Sequence, residues 1–86
     1  MTDDQKTALR LVLLQTLRAA GELGLPDMQL LTAARVGGHA DLTRPELLAT
    51  LRDLADDRAV APFSQISGRR WRITALGESQ LAEAGL

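Results

Sequence analysis

Three arginines in four residues, Arg69, Arg70 and Arg72, and a fourth, Arg44, beside Thr43 at a helix start are the side chains best placed to meet a charged ligand. Guanidinium groups contact phosphate oxygens, and Thr43, Thr50 and Gln65 could add hydrogen bonds. Arg52 lies one helical stretch further on. Chemistry of other kinds finds little material. The chain has no Cys and a single His, so disulfides, thiolate metal sites and a Cys–His nucleophile are excluded. No nucleophile has a base nearby, no Gly-rich loop suits a phosphate, and no metal spacing occurs, so no catalytic residue, cofactor or metal is expected. Asp56-Asp57 lacks further ligands for a divalent cation, and its carboxylates point apart. His39, in a Gly37-Gly38-His39 turn, reads as an exposed loop residue, with a pH-linked or ligand role as the alternative. Trp71 reads as a hairpin anchor rather than a base-stacking platform, because such platforms usually present several aromatics.

These side chains sit in a chain of 86 residues with ten Lys plus Arg against eleven Asp plus Glu. One small domain, residues 1–86, is expected, thin in core and marginal in stability. The net charge of -1 argues against nucleic-acid binding through bulk positive charge. Its distribution is uneven. Residues 1–40 are balanced; residues 41–57 carry Arg44 and Arg52 against Asp41, Glu46, Asp53, Asp56 and Asp57, a net of -3; residues 58–86 carry four Arg against Glu78 and Glu83, a net of +2. No apolar run is long enough to cross a bilayer and the first residues are acidic, so a soluble, cytoplasmic protein is expected.

Leu and Ala supply 30 residues and favour helices. Thr2-Asp3-Asp4-Gln5 fits a capping box opening a helix from about Asp3 to Ala20. Its core stripe is Leu9, Val12, Leu13, Thr16, Leu17 and Ala20, which leaves Leu11 and Leu14 on the far side. They either pack under the C-terminal helix or form a homodimer seam. Gly21 and Gly24 end the helix. Pro26 then opens a shorter one to about Arg35, with Met28, Leu31 and Ala34 inward and Leu30 at the margin.

Thr43, Pro45 and Glu46 mark the sharpest helix start, and Leu47, Leu48, Leu51, Leu54 and Ala55 give its apolar face down to about Asp57. From Ala59 the period alternates. Ala59 to Ile66 and Arg69 to Thr74 read as two strands joined through Ser67-Gly68, with Ser64 facing Trp71 and Pro62 facing Ile73. Val60, Ile66, Trp71 and Ile73 then share one face, and Arg70 and Arg72 lie on the other beside Phe63 and Gln65. Pro62 belongs on an edge strand. Thr74 caps a last helix through Leu81, Ala82 and Ala84.

The fold class is therefore mainly α with a small β-hairpin, in the order α-α-α-β-β-α. The stretch Leu42 to Val60 resembles the third helix and following turn of the winged helix-turn-helix superfamily. Trp71-Arg72-Ile73-Thr74-Ala75-Leu76-Gly77-Glu78-Ser79-Gln80-Leu81 is similar to the aromatic-x-(Ile/Leu)-Thr-x-x-Gly-x-x-x-Leu signature that closes the wing in MarR-like and PadR-like regulators. The resemblance covers about Ala8 to Leu86. A small phage-type winged-helix protein is an equally close likeness. The chain departs from the pattern where Arg58-Ala59 replaces the usual Gly, and in having no long dimerisation helices.

The resemblance implies a regulator of transcription that binds double-stranded DNA, its third helix in the major groove and its wing on phosphate or the minor groove. Thr43, Arg44, Arg52, Arg69, Arg70 and Arg72 are then the expected DNA contacts, and Leu11 and Leu14 the expected dimer interface. The acidic surface of the third helix is ill suited to phosphate and favours the wing as the leading element. It also raises an alternative, a protein–protein interaction module whose third helix meets a basic partner.

Overall fold

The computed structural model describes residues 2–86. Their order is α1 (Asp3–Ala20), a 3₁₀ turn (Gly21–Leu23), α2 (Asp27–Val36), α3 (Arg44–Asp56), β1 (Val60–Gln65), β2 (Gly68–Ile73) and α4 (Ala75–Glu83). This is the expected mainly helical order with one hairpin. Three helices start at a threonine for the same physical reason. The first amides of a helix lack backbone acceptors, and the hydroxyls of Thr2, Thr43 and Thr74 accept from Gln5, Glu46 and Gly77 respectively. At Thr2 and Thr43 the box is closed, because Gln5 and Glu46 reach back to the cap amide. α2 instead follows Pro26, which sits at the cap position with extended backbone.

The core is built almost wholly of leucine: Leu9, Leu13, Leu14, Leu17, Leu30, Leu31, Leu42, Leu47, Leu51, Leu54 and Leu81, with Ala34, Ala59, Val60 and Trp71. α1 lies at its centre and packs against α2, α3, α4 and β2. That position corrects the expected stripe. A helix covered from several sides buries more than one face, so Leu14 is 1% exposed and Leu11 packs half-buried against the core, while Val12, Thr16 and Ala20 are only half-buried. Leu14 is thus buried within the single chain, and Leu11 keeps part of its surface exposed. In α2 the inward set is Leu30, Leu31 and Ala34, and Met28, expected inside, is 61% exposed at the first turn.

The hairpin register also differs from expectation. Val60 pairs with Ile73, Pro62 with Trp71 and Gln65 with Gly68, so Ile66-Ser67 form the turn. The reason lies in the glycine. Positive φ is adopted at Gly68 (119°), directly after the two turn residues rather than within the turn. A slip of two residues keeps every strand side chain on its expected face, so Val60, Trp71 and Ile73 still face inward together. Ile66 alone loses its place, moving from the inner face to a fully exposed tip.

A third segment completes the sheet. The Leu25 amide donates to the Trp71 carbonyl and the Trp71 amide to the Leu25 carbonyl, both at 2.9 Å. Both polar groups of Trp71 thus point toward Leu25, which leaves Pro62, opposite Trp71, in a pair that needs no amide from it. Gly24 precedes this bridge at φ 62°, with the Trp71 carbonyl and Phe63 ring where a side chain would begin.

Two junctions close the hairpin onto the helices. α3 ends with Arg58 in the left-handed region (φ 62°), its amide donating to the Ala55 carbonyl and the next amide, of Ala59, to the Leu54 carbonyl. The chain thus keeps the conformation that usually selects Gly and differs only in the residue. The Thr74 hydroxyl donates to the Arg58 carbonyl at 2.6 Å, and the Thr74 amide to the Ala59 carbonyl at 3.1 Å. Gly77, buried in α4, rests on that same Ala59 carbonyl and on Ile73. A methyl there meets backbone that two hydrogen-bonded junctions hold in place. Gly77→Ala should therefore destabilise the domain by about 1 to 3 kcal/mol in urea unfolding, against the gain that Ala normally brings to a helix. A stabilised variant would show that α4 is free to shift outward.

Candidate nucleic-acid interface

The expected DNA-contact residues separate into those the fold uses and those it leaves free. Thr43 belongs to the first group. Its hydroxyl accepts from the Glu46 amide and donates to Glu46 Oε1 at 2.9 Å. Arg44, on the next residue, points back across the molecule to α2, where Nη2 lies 3.2 Å from Asp27 Oδ2. The other Asp27 oxygen accepts from the Trp71 indole Nε1 at 3.3 Å. Asp27, at the first residue of α2, thus joins the start of α3, the start of α2 and the central strand of the hairpin. Arg44 keeps a 60% exposed side chain and remains in contact with water.

Arg70 is a structural group. Its Nε donates to the Leu23 carbonyl at 2.9 Å and its Nη2 to the Gly24 carbonyl at 3.0 Å, so the guanidinium clamps β2 to the turn after α1. Arg72, on the same face, stacks over the Phe63 ring with 5.4 Å from guanidinium carbon to ring centroid. That stack steers it toward a groove of about 430 Å³ whose walls include Arg18, Glu22, Ala61, Ile73 and Glu78. Arg69 pairs with Ser64 in the register and emerges on the opposite face, exposed near the tip. Arg52 is exposed on α3. Among the described residues Arg52, Arg69 and Arg72 have no carboxylate partner; the ion pairs are Arg44 with Asp27 and Arg10 with Asp57.

The arginines therefore do not converge on one patch. Arg44 lies at the α2–α3 end, Arg72 on the side of α1 and α4, and Arg69 at the hairpin tip. Their surroundings still differ from the rest of the surface in one respect. From residue 58 to residue 77 the chain carries Arg58, Arg69, Arg70 and Arg72 and no Asp or Glu. α3 carries the contrary charge, with Glu46, Asp53 and Asp56 exposed and Asp57, at its end, held by Arg10. Lys6 and Arg10 of α1 line a groove with Glu46 and Asp53, which partly offsets that field.

Sequence reasoning missed Asp27 and the Arg70 clamp. Asp27 was legible only as an acidic residue in a first turn, where it suits the helix dipole. The acid-free run from 58 to 77 is a signal that the sequence does contain. His39 is half-buried rather than exposed, and its amide donates to the Ala34 carbonyl at the end of α2. Among the described residues no three His, Asp or Glu side chains are grouped to hold a metal ion, and no helix is long and apolar enough to cross a membrane. No family model, curated protein or solved structure matches the chain.

The Glu46 carboxyl has a displaced equilibrium. The hydrogen bond from the Thr43 backbone, and then that from the Thr43 hydroxyl, hold its carboxyl below the usual 4.5. A carboxyl lowered in the folded state stabilises the fold above its unfolded pKa and loses that contribution as pH falls through the folded value. Glu46→Gln should therefore flatten the acid limb of the stability curve below about pH 4.5 and change little of its shape near pH 7. An unchanged acid limb would show that the box does not depend on the charge. Arg70→Met should cost about 1 to 2 kcal/mol through two lost charged hydrogen bonds, and Arg69→Met close to nothing, in the same unfolding measurement.

Proposed function

We propose that the domain is a small winged-helix protein that binds double-stranded DNA through its β1–β2 hairpin, as a regulator of transcription. The observation that carries this reading is the acid-free run of residues 58–77, with its four arginines, against the acidic exposed surface of α3. Nearby acidic groups weaken phosphate attraction; the hairpin itself carries no Asp or Glu, and Glu22 and Glu78 approach it only at the groove that Arg72 lines. Arg69 and Arg72 leave opposite faces of a two-stranded ribbon. A ribbon with a cation on each side suits a groove with phosphates along both walls. α3 takes a lesser part, through Arg44 and Arg52. The homodimer expectation is weakened at Leu14, which is buried within one chain, while Leu11 is only half-buried, and the proposal is made for a single domain.

A second reading rests on α3 alone. Glu46, Asp53 and Asp56 have no cationic partner in an ion pair among the described residues, and such a surface fits a basic protein.

The two readings diverge in one experiment. Fluorescence anisotropy on duplex DNA across a salt series should show tight binding at low salt, and the Arg69→Ala, Arg72→Ala double variant should lower the salt slope by about two phosphates' worth. Replacing Asp53 and Asp56 by Asn should strengthen DNA binding by removing like charge. Absence of binding at low salt overturns the DNA reading and leaves the acidic-helix reading standing.

A further inference from the structure

Ile66 has no role in the fold. It is the first of the two turn residues, its side chain is as exposed as in an isolated residue, at 110% relative accessibility, and no core residue touches its position. Turns select residues that supply positive φ or local side-chain hydrogen bonds, and isoleucine offers neither. Its neighbours sharpen the contrast. Gln65 and Ser67 are polar and uncharged, Gly68 has no side chain, and Ser64 is small, so the hairpin narrows to a point whose one bulky apolar group is Ile66. Arg69 stands one residue pair behind that point on one face, and Arg72 lies four pairs back on the other.

We infer that Ile66 is an apolar wedge that enters the DNA minor groove and partly unstacks a base step; this rests on the DNA-binding reading above. The chemistry of the tip matches the task. Proteins that kink DNA from the minor groove insert an aliphatic side chain between base pairs and hold the flanking phosphates with arginine. Arg69 is the cation beside the wedge, Arg72 stands further back along the ribbon, and Gln65 next to the wedge offers an amide to the A·T acceptors of the groove floor. Flexible pyrimidine–purine steps such as TA unstack with least resistance, so the wedge should favour them over a stiff A-tract. Scattered exposed apolar residues are common on soluble proteins, and Val36 at the end of α2 is 84% exposed in this one. Val36 differs in place: it ends α2 beside Arg35, whereas Ile66 stands at the projecting tip of the hairpin.

The test uses the full chain and a duplex with donor and acceptor dyes at its ends, in two versions, one with a central TA step and one with an A-tract. Wild type should bind the TA duplex more tightly and shorten its end-to-end distance. Ile66→Ser places a good turn residue at an exposed position and should leave unfolding unchanged. It should weaken binding to the TA duplex by about tenfold or more, abolish the bend, and leave the salt slope intact, because no phosphate contact is lost. Arg69→Ala, Arg72→Ala should instead reduce the salt slope. Ile66→Ser that binds and bends like wild type, while the arginine variant weakens, overturns the wedge and keeps the DNA reading. Wild type that binds neither duplex overturns both.

Discussion

The Leu25–Trp71 bridge is the constraint on which the remaining geometry depends. Two reciprocal backbone hydrogen bonds of 2.9 Å make β2 the middle of a three-segment sheet, and so attach the hairpin to the connection between α1 and α2. A two-stranded hairpin alone is marginal in water, and the bridge adds a third hydrogen-bonded segment to the packing of Val60, Trp71 and Ile73 on the core. The contacts around the bridge all point the same way. Gly24 admits the close approach, Trp71 fills the core beneath, its indole meets Asp27, and Arg70 closes over the Leu23 and Gly24 carbonyls. The second attachment, from Thr74 and Gly77 to the Arg58-Ala59 turn, fixes the other end of the hairpin against α3 and α4. The hairpin is held at its base on two sides and free only at its tip.

That division explains which arginines are available. A guanidinium near the base meets backbone carbonyls or a carboxylate already ordered by the bridge, and Arg70 and Arg44 are bound in this way. Arg69 lies near the tip, and Arg72 stacks on an aromatic face without forming an ion pair, in a groove that Glu22 and Glu78 also line. Clustering in sequence is therefore a poor guide to clustering in space on a strand. Neighbouring side chains leave opposite faces, and three arginines in four residues acquire three different environments.

Local signals in the chain account for the parts of the fold that were legible. The capping boxes at Thr2 and Thr43, the Thr74 cap, and the leucine spacing of α3 are each decided within a few residues, and the structure contains them with the expected bounds. Non-local packing accounts for the differences. Leu14 is buried because α1 is surrounded, which its own periodicity cannot show; Met28 is exposed because α2 turns Leu30 inward instead. The two-residue register shift arose because Gly68 follows the turn rather than occupying it. At the candidate site the missing information was longer in range. Arg70 meets carbonyls 46 and 47 residues earlier, and Trp71 meets Asp27 44 residues earlier, separations that leave no pattern in a single sequence.

The near-zero net charge of the chain now has a structural form. Acidic residues concentrate on the exposed side of α3, and cations that lack partners concentrate on the hairpin and its approach, so the molecule is polarised although it is almost neutral overall. A polarised neutral body orients in an external field while carrying little non-specific attraction. Against a polyanion it presents the hairpin first and turns α3 aside; against a basic surface it presents α3. The same charge distribution thus makes both readings physically coherent, and the two engage different elements: the DNA reading the hairpin and its tip, the protein reading the acidic face of α3.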